Sequence, residues 1–467
     1  MIELTNTMSG KKEEFKPLKD KTVGMYNCGP TVYNYPHIGN LRKYVFDDVL
    51  RRMLEWNGYK VNQIINITDV GHLVSDEDTG EDKIEQAARS EHKTAREVAD
   101  FFTEAFYGDL ETLNIEAVKD KGKKEKFPKA TDHIEEQIRL IGKLETKGFT
   151  YKTSDGIYFD TSKFSGYGKL GSINTSGLRE GARIEVNSEK RNPTDFALWK
   201  FSPMTGGKRQ QEWESPWGIG FPGWHVECSA MSMKYLGESF DIHTGGIDHI
   251  PVHHNNEIAQ SEAATGKKFV SYWLHEAFLN VDNAKMAKSA GNFYRLKDLA
   301  EQGIRPLAYR YWLLTAHYRS PVNFTWKAAK GADNAYGRLI ENFLLLGKKS
   351  GTPNKEYVEK FTSYINDDLD TPKAVALIWD FLKEQSVTAK DKKATLLEFD
   401  KVLGLNLASF DVPVPEEIET LITDRETARQ GRNWKKADEL RQEIKKLGFE
   451  ILDTEKGPVA VKDLYTG

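Results

Sequence analysis

The sequence predicts an α/β fold with a parallel sheet at its centre, an insertion in the middle and an all-α carboxyl-terminal region. Three observations support this prediction. Two apolar, strand-like segments, 22–27 and 61–67, flank a segment at 41–56 whose apolar residues recur at helical spacing. Residues 217–292 return to short strands and turns. Beyond residue 304 long amphipathic runs follow one another, as expected of packed helices.

The opening elements are each justified by residue type and spacing. Thr22 to Asn27 is a short strand that runs into the turn Gly29-Pro30. The helix Leu41 to Trp56 has apolar residues at 45, 46, 49, 50, 53 and 54, and Asn57-Gly58 ends it. Val61 to Ile67 is a strand rich in β-branched residues. Strand, turn, helix and strand open a Rossmann-like domain, which binds its ligands outside the carboxyl ends of its strands.

The rest of the chain divides by composition. A helix is predicted over Ile84 to Leu113, and β-like pieces such as 156–159 mark an insertion into the α/β domain. Further helices are predicted at 306–317, 326–346, 371–385, 416–430 and 434–447, with a linker at 404–415. The predicted units are the first half of the Rossmann-like domain at 1–130, the insertion at 131–216, the second half at 217–304, a helical bundle at 305–404 and a small carboxyl-terminal domain at 416–467.

Composition and charge exclude several classes of protein. The 467 residues are 39% hydrophobic and 29% charged with a net charge of −4, typical of a soluble globular chain with several domains. No apolar run approaches the roughly 20 residues that span a bilayer, and no signal peptide is visible. Two distant cysteines cannot form a disulfide framework and fit a reducing compartment. We therefore expect a cytoplasmic protein, and a monomer because no apolar patch indicates a partner.

Two motifs have the chemistry of a nucleotide site. His37-Ile38-Gly39-Asn40 leads into the predicted helix, whose amino terminus offers N–H groups to a phosphate. Gly39 would let a purine approach the backbone, and His37 would donate to a phosphate oxygen. Lys285-Met286-Ala287-Lys288-Ser289 brings two ammonium groups that would neutralise charge on departing pyrophosphate. Either motif alone also fits an ordinary turn or a solvated loop, but their order in two half-domains favours ATP.

Four residues form a candidate metal site. His253 and Glu257 are four apart and share a helix face, and Cys28 and Cys228 add two sulfurs. Two sulfurs, one nitrogen and one oxygen suit zinc. The spacing is not that of a zinc finger, so the fold must assemble the site, and a buried cysteine is often only a small hydrophobe. The chemistry leaves other histidines open for the nitrogen position, namely His225, His243, His249 and His254.

A further motif, His243 to Asp248, combines two glycines with a carboxylate. Gly245 and Gly246 allow a close backbone approach, and Asp248 is suited to accept hydrogen bonds from a ribose or an ammonium group. Trp224 is suited to form the wall of a small pocket. Each also has an ordinary interpretation, since the glycines fit a plain turn and most such tryptophans are core.

Long strings of this sequence resemble the class I aminoacyl-tRNA synthetases, and among them the cysteinyl-tRNA synthetase family. The resemblance covers nearly the whole chain. Besides the two nucleotide motifs, it rests on Tyr26 to Tyr33, Asn66 to Asp69, Pro222 to Met231, Asp241 to His243, Pro251 to Ser261 and Asn366 to Pro372. It implies an enzyme that activates cysteine with ATP and transfers it to tRNA, with tRNA(Cys), L-cysteine and ATP as partners.

The resemblance also implies roles for individual residues. One zinc ion, which also binds the sulfur of the substrate, would be held by Cys28, Cys228, His253 and Glu257. Cysteine would be bound by Cys28, Thr68, Trp224 and Asp248. ATP, accompanied by Mg²⁺, would be bound by Pro30, His37, Gly39, Asn40, Gly245, Gly246, Asp248, Lys285, Lys288 and Ser289. Of these, His37, Lys285 and Lys288 would be catalytic. The helical carboxyl-terminal third would read the tRNA, including its anticodon.

Two positions depart from the family motifs, and three alternatives stay open. Asn40 stands where many relatives have a second histidine, although an amide can still donate to a phosphate oxygen, and Ala287 replaces a serine. A ligase that joins cysteine to an amino sugar is disfavoured by the long chain after residue 304. A tRNA-binding paralogue without catalysis is disfavoured by the intact motifs, and a zinc hydrolase by the lysine motif. No editing domain is expected, because the insertion is too short.

Overall fold

The chain forms the strands and helices of an α/β protein in the predicted order. The computed structural model describes residues 1–71, 82–120, 122–172, 188–202, 209–285, 292–411, 414–454 and 457–462. Its strands are β1 (Glu3–Asn6), β2 (Lys11–Glu14), β3 (Thr22–Asn27), β4 (Lys60–Ile65), β5 (Thr150–Lys152), β6 (Gly156–Phe159), β7 (Phe196–Phe201), β8 (Gly220–Pro222), β9 (Phe240–Gly246), β10 (Val270–Glu276), β11 (Leu279–Val281), β12 (Ala284–Lys285), β13 (Val322–Phe324), β14 (Phe449–Thr454) and β15 (Gly457–Lys462). Its helices are α1 (Ile38–Trp56), α2 (Lys83–Glu91), α3 (Ala95–Thr112), α4 (Lys123–Lys126), α5 (Ile134–Thr146), α6 (Trp224–Leu236), α7 (His253–Thr265), α8 (Leu296–Glu301), α9 (Pro306–Leu314), α10 (Trp326–Leu345), α11 (Lys355–Asn366), α12 (Thr371–Lys383), α13 (Ala389–Leu403), α14 (Glu416–Gln430) and α15 (Trp434–Lys446).

A parallel four-stranded sheet in the order β10–β9–β3–β4 forms the centre of the molecule. Strand β3 has the predicted bounds, and α1 crosses from β3 to β4 as the sequence predicted. Because parallel strands end at the same edge, this order brings Cys28, Gly246 and Glu276 to one side of the sheet. The prediction of a Rossmann-like α/β fold is confirmed, and its ligand-binding edge carries the chemistry described below.

The single helix predicted over 84–113 is wrong, because this segment forms two helices, α2 and α3. His92 ends α2 in the left-handed conformation, with φ of 56°. Thr94 then begins α3 with a capping box, since its hydroxyl accepts the Glu97 N–H and the Glu97 carboxylate accepts the Thr94 N–H. The Thr-x-x-Glu signal was present in the sequence, but the continuous apolar spacing concealed the break.

The predicted insertion contributes α5 and most of an antiparallel sheet in the order β5–β6–β7–β8. The last strand, β8, lies beyond the predicted limit of residue 216 and leads directly into α6. Phe159 and Trp199 of this sheet pack in one apolar cluster with Val226 of α6. The insertion therefore supports the helix that carries Trp224 and Cys228.

A small three-stranded sheet links the second half of the α/β domain to the helical bundle. Strand β11 pairs antiparallel with β12 and parallel with β13. Helix α10 begins at Trp326, almost directly after β13. The chain therefore enters the bundle from a strand that is hydrogen-bonded to the α/β domain.

The carboxyl-terminal region is helical as predicted, and it adds a feature that the prediction of an all-α region did not include. Strands β14 and β15 form an antiparallel hairpin after α15. Ile418, Ile444 and Ile451 join α14, α15 and the hairpin in one small core. In the part of the chain that the structure describes, no helix has the length and apolar character needed to cross a membrane.

Candidate active site

A cavity of about 400 Å³ opens at the carboxyl ends of β3, β9 and β10. This volume is in the range of small-molecule sites, and the position is where open parallel sheets bind their ligands. The predicted site residues that line it are Cys28, Pro30, His37, Gly39, Asn40, Thr68, Trp224, Cys228, Gly246, Asp248 and His253. The fold therefore brings residues from both halves of the α/β domain to one cavity.

Gly29 holds the turn after β3 tightly against the chain that follows β4. Its N–H donates to Asn66 Oδ1 at 2.8 Å, and a Cβ at this position would lie 1.4 Å from the Asn66 carbonyl oxygen. No side chain fits there unless one of the two segments moves. The absence of a Cβ thus allows Cys28 to lie in the cavity wall beside Thr68.

The four predicted metal ligands converge on one point of the cavity wall. Cys28, Cys228, His253 and Glu257 are all buried, and their ligand atoms lie within 4.8 Å of one another. Ligands about 2.0–2.3 Å from a common zinc ion stand roughly 3.3–3.8 Å apart in a tetrahedron, so a small contraction completes this geometry. The donor set fits zinc.

A second grouping competes for the same ion. Cys28, His243, His254 and Glu257 also bring their ligand atoms within 4.8 Å. Hydrogen bonding separates the two sets. His243 Nε2 lies 3.0 Å from Glu257 Oε2, and His254 Nδ1 lies 2.7 Å from His275 Nε2. In contrast, His253 Nε2 and Glu257 Oε1 are buried and lie 3.1 Å apart, and neither atom has a hydrogen bond to a residue outside the four donors. This favours the set with Cys228 and His253.

Two further histidines, His225 and His243, contact the donors and orient them. His225 Nδ1 lies 2.9 Å from His253 Nδ1, which leaves Nε2 of His253 facing the other donors. His243 fixes the second oxygen of Glu257 in the same way. Partners of this kind hold the ring and the carboxylate of a metal ligand in place. Of the histidines that the sequence left open as ligands, His225 and His243 therefore have supporting positions, whereas His249 Nδ1 is buried without a hydrogen-bond partner and His254 Nε2 lies 3.3 Å from Cys28 Sγ.

Charges in this cluster alter the protonation of its members. Burial raises the pKa of the Cys28 thiol, but the Cys228 hydrogen bond and the neighbouring histidines lower it more, so the net pKa lies well below that of a free thiol. Burial lowers the pKa of His253, but Glu257 raises it more, to about 10. A cation at this point would take over the charge compensation that the proton on His253 supplies.

One wall beside the donors has the residues predicted for the amino acid. Thr68 Oγ1 donates to the buried Glu227 carboxylate at 2.5 Å, and Asn66 Nδ2 donates to Thr68 Oγ1 at 3.1 Å. The indole of Trp224 lies with its centroid 4.5 Å from that of the His253 ring. Thr68 and Trp224 therefore have fixed orientations at the edge of the donor cluster.

His37 and Asn40 cap the amino terminus of α1. The Asn40 N–H donates to His37 Nδ1 at 3.1 Å, and the His37 N–H donates to Asn40 Oδ1 at 3.2 Å. Because Nδ1 accepts, a neutral His37 carries its proton on Nε2. Burial lowers the pKa of His37 to about 4, so the ring is neutral near pH 7. The side-chain oxygen of Asn40 caps the helix, and its amide nitrogen is the group that we predicted to donate to a phosphate.

The glycine motif after β9 is divided between two sites. Gly246 and Asp248 line the cavity. Gly245 instead packs against the histidines, since a Cβ there would lie 2.6 Å from His249 Nδ1 and from His254 Cε1. The sequence treated both glycines alike because it does not show which of them faces the cavity.

The second nucleotide motif lies at the end of β12. The backbone of Lys285 pairs with Asn280 of β11. Lys288 and Ser289 lie outside the described residues.

Two charged residues of the cavity wall were missed by the sequence analysis. Lys43 is buried, and its ammonium group donates to Asp47 at 2.6 Å. Glu276 ends β10, and burial raises its pKa to about 8 although Arg42 opposes the shift. In the sequence, such a residue can be noticed as a charge inside an otherwise apolar helix or strand pattern. Only the fold shows that the charged side chain lines a cavity.

Comparisons with known proteins identify two matching families and several similar chains. A family described as the catalytic domain of the class I (C) tRNA synthetases matches residues 14–334. A family described as the cysteinyl-tRNA ligase anticodon binding domain matches residues 411–457. Cysteine–tRNA ligase 1 of Burkholderia lata is 47% identical over 98% of this chain and 96% of its own length. The cysteine–tRNA ligase of Treponema denticola is 45% identical over 99% of this chain and 100% of its own.

Solved structures support the fold. A methionyl-tRNA synthetase of Mycobacterium tuberculosis bound by methionyl-adenylate superposes with a TM-score of 0.55 and 16% identity, over 82% of this chain and 90% of its own. A LeuRS from Agrobacterium radiobacter in a complex with tRNA has a TM-score of 0.58 and 12% identity, over 85% of each chain. With a catalytic-domain match over most of its length and full-length relatives above 40% identity, the chain belongs to the cysteinyl-tRNA synthetase family of class I aminoacyl-tRNA synthetases.

Proposed function

We propose that this protein joins L-cysteine to tRNA(Cys) in two steps. Cysteine and ATP give cysteinyl-adenylate and pyrophosphate, and the cysteinyl group then passes to a hydroxyl of the terminal adenosine of the tRNA. The observation that carries this proposal is the cluster of two thiols, an imidazole and a carboxylate in the wall of a cavity that also holds a helix amino terminus. The activation of cysteine by ATP requires a site that selects sulfur next to a site that binds phosphate.

In the first step the cysteine carboxylate attacks the α-phosphorus of ATP, and the bond to pyrophosphate breaks. Chemistry of this type depends mainly on positioning and on stabilising charge. His37 is suited to donate from Nε2 to a phosphate oxygen, because Nδ1 is occupied by the Asn40 N–H. We assign Lys285, Lys288 and Ser289 to the departing pyrophosphate, together with the Mg²⁺ that accompanies ATP. Pro30, Gly39 and Gly246 would form the surface on which the nucleotide lies.

The donor cluster addresses the hardest discrimination, which is cysteine against serine. A pocket that senses only a small difference in size gains about 1–3 kcal/mol, whereas an error rate near 10⁻⁴ requires about 5.5 kcal/mol. A zinc ion held by Cys28, Cys228, His253 and Glu257 would favour a thiolate as ligand over an alcohol, which stays protonated at neutral pH. Thr68 and Trp224 would orient the amino acid so that its side chain meets these donors. No editing site is then needed.

The carboxyl-terminal units are proposed to read the tRNA. The match of residues 411–457 to an anticodon-binding family supports this, and such a unit has no use in a ligase that acts on an amino sugar. Trp434 at the start of α15 is 61% exposed and is followed by Lys435 and Lys436, a combination suited to stacking on an unpaired base. We also propose the domain limits given above, a cytoplasmic location and a monomeric state.

The test is cysteine-dependent exchange of radiolabelled pyrophosphate into ATP. We expect exchange with cysteine and strongly reduced exchange with serine. Gel filtration of the same active protein tests the proposed monomeric state. Removal of metal by a chelator should abolish exchange with cysteine, and added Zn²⁺ should restore it. No exchange with cysteine at any metal loading would overturn the proposed function. Hydrolysis of preformed seryl-tRNA(Cys) by the protein would overturn the absence of editing.

A further inference from the structure

Glu276 is a buried carboxylate in the wall of the cavity that the proposed mechanism does not use. It is the last residue of β10, is 8% exposed and lines the cavity. In the sheet it pairs with Gly246 of β9. A Cβ on Gly246 would lie 2.3 Å from Asp248 Oδ1 and 3.6 Å from Glu276 Oε1. Two carboxylates therefore flank one bare stretch of backbone.

The Glu276 carboxylate has no hydrogen-bond donor among the residues that the structure describes. The two nearby cations are already engaged. Arg42 donates to the carbonyl oxygens of Phe278, Tyr318 and Ser320, and Lys43 donates to Asp47. Because Glu276 lines the cavity, its carboxylate is available to accept a hydrogen bond from a bound ligand.

The order of the strands indicates which part of the ligand this is. Cys28 follows β3, Thr68 follows β4 and Trp224 begins α6, and these residues form the part of the cavity wall proposed for the amino acid. The phosphates belong to the amino terminus of α1 at His37. We therefore assign the nucleoside to the part of the cavity wall at the ends of β9 and β10, where Gly246 exposes backbone without a side chain. Carboxylates next to such a surface typically accept hydrogen bonds from ribose hydroxyls.

We propose that Glu276 and Asp248, whose carboxylates both lie beside Gly246, bind the ribose hydroxyls of ATP, and that Glu276 sets the preference for ribonucleotides over deoxyribonucleotides. This inference rests on the proposed function, because it assigns a further binding residue to the same site. Burial keeps much of Glu276 protonated near neutral pH, since its pKa is raised to about 8. A carboxylic acid both accepts and donates, as a ribose hydroxyl does, so the pair suits either protonation state.

The test compares pyrophosphate exchange with ATP, 2′-deoxy-ATP and 3′-deoxy-ATP in wild type, Glu276→Gln and Glu276→Ala. The wild type is expected to prefer ATP over at least one deoxynucleotide. Glu276→Ala should reduce that preference about tenfold, the effect of one hydrogen bond to a charged or buried group, through a higher KM for ATP and an unchanged KM for cysteine. Glu276→Gln keeps the shape and one acceptor, so it should lie between the two.

Glu262→Gln is the matched control. Glu262 lies on α7, its carboxylate accepts a hydrogen bond from the Phe269 N–H, and it does not line the cavity. This substitution should leave the preference unchanged. Equal losses with all three nucleotides in both Glu276 variants, or a change confined to the KM for cysteine, would overturn the inference. A wild-type protein that activates cysteine but does not distinguish ATP from either deoxynucleotide would overturn it as well. A wild type without any exchange would instead refute the proposed function, so the two failures are distinguishable.

Discussion

The amide of Gly29 donates to the side chain of Asn66, and the two residues approach so closely that a Cβ on Gly29 would lie 1.4 Å from the Asn66 carbonyl oxygen. This contact joins the turn after β3, which carries Cys28, to the segment after β4, which carries Thr68. The parts of the cavity wall that carry Cys28 and Thr68 are therefore fixed relative to each other by a steric constraint.

Gly29→Ala should displace this turn and misplace Cys28. We expect a loss of cysteine activation of about 100-fold or more and a lower zinc content, because the backbone has to shift by more than an ångström. Gly108→Ala, on the exposed face of α3 with nothing within 4 Å of the new Cβ, is the control and should be neutral or slightly stabilising. Exchange kinetics and bound zinc measured on both variants check this, and a fully active Gly29→Ala would contradict it.

Cys228→Ser should separate cysteine selection from nucleotide binding. Loss of one thiolate from the four donors weakens the metal site, so we expect at least about 100-fold lower kcat/KM for cysteine and substoichiometric zinc. Equilibrium binding of ATP should change by less than about threefold. Ser232→Ala on the same helix removes a hydroxyl that donates to the Ser229 carbonyl and serves as control. Equal loss of ATP binding would show that Cys228 acts only in packing.

His37 should make the protein less stable in mild acid. The pKa of a histidine near 6.5 when unfolded falls to about 4 in the folded protein, because burial disfavours the charged ring. The unfolded chain therefore binds the proton more tightly, and this residue lowers the free energy of unfolding as the pH falls from about 6.5 to 4. Urea unfolding of the wild type and of His37→Gln should show a difference that grows in this pH range. A difference independent of pH would contradict the prediction.

Asp48 should be essential for stability, since it joins α1 to the helical bundle. Its carboxylate accepts from Arg310 and from Arg52, each at 2.6 Å, and both Asp48 and Arg310 are fully buried. Asp48→Asn leaves the buried Arg310 without its counter-charge, although Arg52 keeps its ion pair with Glu116, and we expect a loss of about 3–5 kcal/mol in urea unfolding. The exposed Asp380→Asn is the control, with an effect below about 0.5 kcal/mol. A similar effect of the two substitutions would refute this account.

Trp434→Ala should weaken tRNA recognition without affecting activation. Stacking on an unpaired base contributes about 1–3 kcal/mol, so the KM for tRNA(Cys) should rise roughly 5- to 100-fold. Pyrophosphate exchange, which requires no tRNA here, should be unchanged. Leu447→Ala at the other end of α15 is 43% exposed and provides an apolar control. Unchanged aminoacylation kinetics of the Trp434 variant would remove this residue from the proposed tRNA surface.

Much of the fold could be predicted from local sequence patterns. Strand β3 and helix α14 have the predicted bounds because their apolar spacing and end signals lie within a few neighbouring residues. The break between α2 and α3 was missed because a short capping signal competed with a longer apolar pattern, and the hairpin at 449–462 lies beyond the last predicted helix, where no element was predicted. The antiparallel order of β5 to β8 depends on pairing between distant segments, which local spacing does not contain.

The candidate site shows the same division. His253 and Glu257 could be paired because four residues on a helix return to the same face. The choice among the histidines could not be made, since it depends on which nitrogen already has a hydrogen-bond partner in the fold. Glu276 was missed because its meaning depends on the position of β10 beside β9, which are joined through α7 and not by a local turn.

The small sheet of β11, β12 and β13 has a mechanical consequence. Val281 pairs with Ala284 on one side and with Phe324 on the other, so the strand that leads to Lys285 is bonded to the strand that leads into α10. In the proposed function, a tilt of α10 imposed by bound tRNA would therefore be transmitted to Lys285 at the start of the second nucleotide motif, unless the hydrogen bonds of this ladder break. Binding of tRNA by the helical bundle and the proposed contact of Lys285 with pyrophosphate would then be mechanically coupled through β11 and β13.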